Sequence, residues 1–142
     1  MCRQKKPRAV LDVGTGTGVL ARIARARGAE WIVGTDIDKQ ALVSATENAR
    51  LDSHKTEILI SPLPPDHWGR RFDLVVANIL EAPLKELAPS LAGALAPEGS
   101  LLISGFTSIQ VPSLRSAFAG LGIRFVTEAR LGEWALLMFC QT

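Results

Sequence analysis

The sequence predicts an α/β fold, a Rossmann-like, doubly wound and mostly parallel sheet that ends in an antiparallel hairpin. Three observations carry this. Short runs of Val, Ile and Leu alternate with segments of helical period, the pattern of successive βαβ units. The first apolar run, Ala9–Val13, enters a glycine-rich turn, Gly14-Thr15-Gly16-Thr17-Gly18, that opens a helix. The last two apolar runs follow one another with no helical segment between them.

Each element has its own signal. Ala9–Val13 is apolar apart from Asp12, as a strand covered on both faces should be. Val19, Leu20, Ile23, Ala24 and Ala26 share one helical face, with Arg22, Arg25 and Arg27 expected in water and Gly28 ending the helix. Trp31–Thr35 reads as the second strand and delivers Asp36 at its carboxyl end. Asp38 is placed to cap a helix from Lys39 to about Arg50, with Ala41, Leu42, Ala45 and Ala49 inward. Glu57–Ile60 reads as a short third strand, and Ser61-Pro62-Leu63-Pro64-Pro65 as a loop.

Phe72–Ala77 is the fourth strand, central by composition. Leu84, Leu87, Ala88, Leu91 and Leu95 recur at helical spacing, with Pro89 as a kink. Pro97-Glu98-Gly99 reads as a turn before a fifth strand, Leu101–Ser104. Val111, Leu114, Phe118 and Leu121 mark a last helix, ended by Gly120 and Gly122. Ile123–Thr127 and Trp134–Phe139, joined around Leu131-Gly132, form the closing hairpin.

The 142 residues read as a single domain, 1–142, with a basic tail over 1–8. A composition of 47% apolar and 21% charged residues is that of a globular protein, and a net charge of +2 compels neither a nucleic-acid nor a membrane partner. Cys2 and Cys140 stand at opposite ends and make neither a disulfide framework nor a metal-ligand spacing. The expectation is a cytoplasmic protein with no metal, no membrane span and no signal peptide. His54 and His67 read as surface residues, and Asp66 and Asp73 as loop and strand-edge carboxylates. Trp68 reads as a substrate wall or as loop packing, and Trp134 as core.

In an open α/β sheet, ligands bind outside the carboxyl ends of the strands where the strand order reverses. The groups gathered there are the Gly14–Gly18 turn, Asp36, and Asn78-Ile79-Leu80 after the fourth strand. A dinucleotide fingerprint would be G-x-G-x-x-G, and counting from Gly14 its third glycine falls on Val19. Glycines at 14, 16 and 18, with Asp12 two residues before the first, resemble instead motif I of the class I S-adenosylmethionine-dependent methyltransferases.

That resemblance implies S-adenosylmethionine as the cofactor and gives each group a task. Amides of Gly14, Thr15, Gly16 and Gly18 at the helix start would hold the methionine carboxylate. Asp36 would accept both ribose hydroxyls, and Ile37 and Leu80 would border the cofactor. Asp12 would either receive the ammonium or fix the turn amides. Asn78 is the catalytic candidate, because its amide oxygen accepts a hydrogen bond from an attacking amine and aims the lone pair. Methyl transfer leaves little acid–base work, so positioning supplies most of the acceleration. The competing role for Asn78 is to cap the following helix.

Gly34-Thr35-Asp36-Ile37-Asp38, Val75-Val76-Ala77-Asn78-Ile79-Leu80, Pro83-Leu84-Lys85-Glu86-Leu87-Ala88-Pro89, Ser104-Gly105 and Gly132-Glu133-Trp134 together resemble the catalytic domain of the ribosomal protein L11 methyltransferases. The resemblance runs over essentially the whole chain. It implies a seven-stranded sheet of order 3-2-1-4-5-7-6 and a protein N-methyltransferase acting on lysine or α-amino groups, with a protein substrate such as a ribosomal protein. It maps donor binding onto Gly14, Asp36 and Asn78. No residue here matches the family's amino-terminal recognition domain or its donor-binding threonine before the first strand. The alternatives are therefore a catalytically idle donor-binding domain and a small-molecule methyltransferase.

Overall fold

The structure is a computed structural model and describes residues 5–142. The expected basic tail lies outside the described residues at positions 1–4, and so does Cys2. Arg8 belongs to the fold rather than to a solvated tail: its amide and that of Ala9 both donate to Asp73 Oδ2 at 3.0 Å, and its guanidinium pairs with Glu30. Asp73 thus ties the start of the first strand to the fourth.

Seven strands form one sheet in the order β3-β2-β1-β4-β5-β7-β6. They are β1 (Ala9–Val13), β2 (Trp31–Thr35), β3 (Ile58–Ser61), β4 (Phe72–Asn78), β5 (Leu95–Thr107), β6 (Ile123–Leu131) and β7 (Trp134–Gln141). The pairs from β3 to β5 are parallel, and β7 runs antiparallel to both β5 and β6. Four α-helices connect them: α1 (Val19–Ala26), α2 (Lys39–Ala49), α3 (Glu81–Gly93) and α4 (Val111–Phe118). The larger core joins β1, β4, β5 and β7 to α3 and α4 through Leu11, Val75, Leu84, Leu91, Ile103, Leu114 and Phe118, all fully buried.

The caps follow from the residues present. Asp38 accepts the Gln40 amide at 3.0 Å and starts α2. After α1, Gly28 at φ 91° donates to Arg25 and Ala29 to Ala24, the paired bonds of a left-handed helix stop.

Several expectations are corrected. In α1 the buried positions are Ala21 and Arg25, while Val19, Ile23 and Ala26 lie at the surface. The small Ala21 lets the helix approach the sheet, and the buried arginine has backbone to bind. It donates to Ala49 O, Thr56 O and Asp52 Oδ2, and so fastens the α2–β3 connection. Leu95 and the segment 97–99 lie within β5, not in a helix and a turn. Glu98 takes φ 62° there, and the pairing with β4 skips from Phe72–Leu95 to Leu74–Ser100.

Helix α4 stops at Phe118, so Leu121 reaches the core from outside it. Ser61 closes β3, and Pro65–Trp68 forms a short 3-10 helix in place of irregular loop. Both hairpin strands run past their expected ends. Cys140 is buried in β7 and is disulfide-bonded, which corrects the expectation that the cysteines make no disulfide.

Candidate functional site

The carboxyl ends of β1, β2, β3 and β4 open on one cavity of about 360 Å³. Gly14, Asp36, Ile37, Leu63, Ile79 and Leu80 are among the residues that line it. Its size and mostly apolar wall suit a small organic ligand. A second hollow of about 420 Å³ is lined by Asn78, Ser104, Gly105, Trp134 and Ala135. Asn78 and Ile79 are consecutive, so the two hollows adjoin at the end of β4.

The glycine loop is held from beneath. Asp12 is 1% exposed, and its Oδ2 accepts the Thr15 hydroxyl at 2.7 Å while the Ala21 amide bonds it as well. Burial pushes this carboxyl up to about 6, against the lowering effect of those two donors. Thr15 is itself buried, and its amide donates to Thr35 O at 2.8 Å. Gly18 caps α1 at φ 84°, where a Cβ would lie 3.3 Å from that of Ala45. Asp12, Thr15 and Gly18 therefore build the loop from inside and do not line the cavity.

Gly14 and Gly16 face outward. At Gly14 a Cβ would come within 2.4 Å of Ile79 Cγ2, whereas at Gly16 it would meet nothing within 4 Å. Asp36 Oδ2 accepts the Gly16 amide at 2.9 Å, and its Oδ1 accepts the Asp38 amide at 3.0 Å. Each carboxylate oxygen keeps a further lone pair for a ligand donor. Ile37 is 98% exposed and Leu80 72% exposed, two large apolar side chains standing at the cavity mouth.

Asn78 is exposed at the last position of β4. Helix α3 begins after Leu80 with no side-chain cap, so Asn78 does not cap it. Its Oδ1 instead accepts the Ser104 hydroxyl at 3.1 Å. Trp134 is 54% exposed beside it and is not core. Trp68 packs half-buried on the main core with its ring against His67, so it is loop packing. Among the described residues no group of three or more His, Cys, Asp or Glu side chains is arranged to hold a metal, and no helix is long and apolar enough to cross a membrane.

The sequence reading missed Pro62, Leu63 and Pro65, which wall the cavity, and Ser104. The signal for the first three was available: whatever follows β3 must leave the sheet at the same edge as Asp36 and Asn78.

A family profile described as Ribosomal protein L11 methyltransferase (PrmA) matches residues 2–142. The ribosomal protein L11 methyltransferase of Geobacter sulfurreducens is 39% identical over 134 residues, which is 94% of this chain and 44% of the relative. That of Syntrophotalea carbinolica is 40% identical over 133 residues, covering 94% and 43% respectively. This chain thus spans less than half the length of these curated relatives. The crystal structure of a ribosomal protein L11 methylase from Lactobacillus delbrueckii subsp. bulgaricus superposes with a TM-score of 0.89 at 34% identity, over 97% of this chain and 72% of that one. A magnesium protoporphyrin IX methyltransferase from Synechocystis, solved with bound SAM, shares the fold at a TM-score of 0.76 and 17% identity.

Proposed function

The chain belongs to the ribosomal protein L11 methyltransferase family, and on that premise we propose that it uses S-adenosylmethionine to methylate protein amino groups, those of ribosomal protein L11 first among them. One observation carries the reading. Asp36 and Asn78 stand at the ends of the two strands that flank β1, with the Gly14–Gly16 backbone between them, and their side-chain oxygens keep acceptor sites beyond the bonds they already accept.

The residues present fit the donor. Gly16 leaves open space where a side chain would stand, and Asp36 keeps lone pairs for ribose hydroxyls. Ile37 and Leu63 offer apolar surface for a purine, and Gly14 brings backbone to the cavity wall at the turn that leads into α1, while the Gly16 amide is already taken by Asp36. Asp12, Thr15 and Gly18 serve by fixing the loop. When bound, S-adenosylmethionine supplies a methyl group on a cationic sulfur, which a neutral amine takes while the C–S bond pair returns to sulfur.

This chain's own contribution is placement. The Asn78 amide oxygen accepts one amine N–H and so turns the nitrogen lone pair along a fixed line. No acid–base residue is required, provided that the amine arrives unprotonated. The reading treats the 142 residues as one domain, and the cytoplasmic setting expected from the sequence goes with this acceptor.

Methyl-labelled S-adenosylmethionine, incubated with this chain and purified ribosomal protein L11, should place label on lysine side chains or the α-amine, mapped by mass spectrometry. The second reading is a domain that binds the donor without turnover. It is favoured by the place of Asn78, which lines the 420 Å³ hollow and not the cavity that holds Asp36. Donor binding by calorimetry with no transferred label would select it.

A further inference from the structure

Strand β5 pairs with β7 residue for residue until Ser104–Leu136, then skips Gly105 and resumes at Phe106–Ala135. This bulge sits directly beside the end of β4, where Asn78 pairs with Ser104. Two consequences meet at one atom. The Ser104 hydroxyl lies 3.1 Å from Asn78 Oδ1, and Gly105, at φ +97°, would place a Cβ 3.0 Å from that same oxygen. The Cβ would also come within 2.6 Å of Ile79 O and 2.9 Å of Ile79 N, so only a glycine leaves the amide oxygen its place. Bulges re-aim side chains in this way.

Resting on the methyltransferase reading above, we propose that Ser104 is a positioning residue: its hydroxyl anchors the Asn78 amide oxygen at the end of β4, where that oxygen meets the acceptor amine.

The chemistry turns on what an amide offers. Its oxygen has two acceptor sites and its nitrogen two donors. The Ser104 hydroxyl occupies one acceptor site and leaves the second for an amine N–H. Rotation of the amide by half a turn would bring its N–H₂ to the same position. It would then donate to the amine lone pair, which is the pair that must form the new N–C bond. A donor there ties up the nucleophile, whereas an acceptor directs it. Ser104 therefore serves as the anchor of the Asn78 amide in the productive rotamer that the structure shows. It need not touch the reacting atoms.

The test has two arms. In the ligand-free protein, Ser104→Ala should shift or broaden the Asn78 side-chain amide signals in a ¹⁵N–¹H spectrum, and Ser104→Thr, which keeps a hydroxyl, should leave them close to those of the unaltered chain. In steady-state transfer from S-adenosylmethionine to ribosomal protein L11, Ser104→Ala should lower kcat roughly five- to tenfold, the scale of one hydrogen bond, with the donor Kd and acceptor KM nearly unchanged. Ser104→Thr should recover most of that loss.

In an Asn78→Ala background, measured as single turnover, adding Ser104→Ala should change nothing further. Additive losses, or Asn78 signals indifferent to Ser104→Ala, overturn the inference while the function stands. An unaltered chain that transfers no methyl to ribosomal protein L11 overturns the functional reading and this inference with it.

Discussion

Asp36 Oδ2 accepts the amide of Gly16 at 2.9 Å across two neighbouring strand ends. The acid that closes β2 and the glycine turn that follows β1 are therefore one structural unit before any ligand arrives. The spacing of twenty residues between them is what a strand–turn–helix–strand unit needs to bring its two strand ends together. Preorganisation of this kind lowers the cost of ordering the loop on binding.

Asp36→Ala should cut donor affinity in a chain that still folds. Removing a carboxylate that accepts ribose hydroxyls costs on the order of 2–3 kcal/mol, the range for hydrogen bonds to charged groups. Asp36→Asn keeps an acceptor for Gly16 but loses the charge, and should fall between the two. Calorimetric titration with S-adenosylmethionine measures this, and equal affinity for all three chains would remove Asp36 from the binding site.

At Gly105 the expected effect is on folding as well as on rate. A Cβ there meets backbone atoms of Ile79 at 2.6 and 2.9 Å, and the residue holds φ +97°. Backbone cannot yield as a side-chain tip can, and the left-handed conformation adds strain of its own. Gly105→Ala should therefore cost about 2 kcal/mol or more of stability, read as a lower urea midpoint at unchanged m. Gly16→Ala also has a positive φ, 57°, but that lies in the left-handed region other residues can enter and the space around its Cβ is open, so its cost should be smaller. A variant at Gly105 as stable as the unaltered chain would show that the β4–β5 contact gives way easily.

Much of the architecture was legible because periodicity and punctuation agreed. The apolar runs at Ala9–Val13, Trp31–Thr35 and Phe72–Ala77, and the Asp38 cap, are local signals, and the structure returns them within a residue. The site was legible for a topological reason: parallel strands end at one edge, so residues after them collect there. What stayed hidden depends on contacts between distant segments. Arg25 stands on the arginine-rich side of α1, and no pattern within the helix reveals that Ala49 O and Thr56 O approach it. Leu95 fits the helical repeat of α3 equally well, yet a bulge opposite Phe72 carries it into β5. Trp134 is apolar by type but sits where the hairpin outruns the core.

The buried arginine leads to a prediction about acid. Asp52 bridges Arg22 and Arg25, and these guanidiniums hold its carboxyl down to about 2. A depressed carboxylate contributes stability that is present above its ordinary value near 3.8 and lost as pH falls towards 2. Asp52→Asn should therefore lower stability at pH 7 and show less further loss between pH 4 and pH 2 than the unaltered chain. Arg25→Ala should be more damaging than Arg22→Ala, because Arg25 is 5% exposed and also serves two carbonyls. Equal effects of the two arginine substitutions would show that the backbone bonds contribute little.

Asp12 should act in the opposite sense. Its carboxyl is pushed up to about 6 in the folded chain, against 3.8 when exposed, because burial disfavours its charge more than Thr15 and Ala21 favour it. Below 3.8 it is protonated in both states and costs nothing. As pH rises from 3.8 to 6 the unfolded chain releases the proton first, so folding stability falls through that window and stays lower above it. Roughly two pKa units correspond to a penalty on the order of 3 kcal/mol at neutral pH. Asp12→Asn cannot ionise, and its amide oxygen still accepts from Thr15. The difference in unfolding free energy, variant minus unaltered chain, should rise between pH 4 and pH 6 and level off by pH 7. Urea denaturation of both chains at each pH gives that difference directly, and parallel curves would mean that Asp12 titrates as an ordinary exposed carboxylate despite its place under the loop.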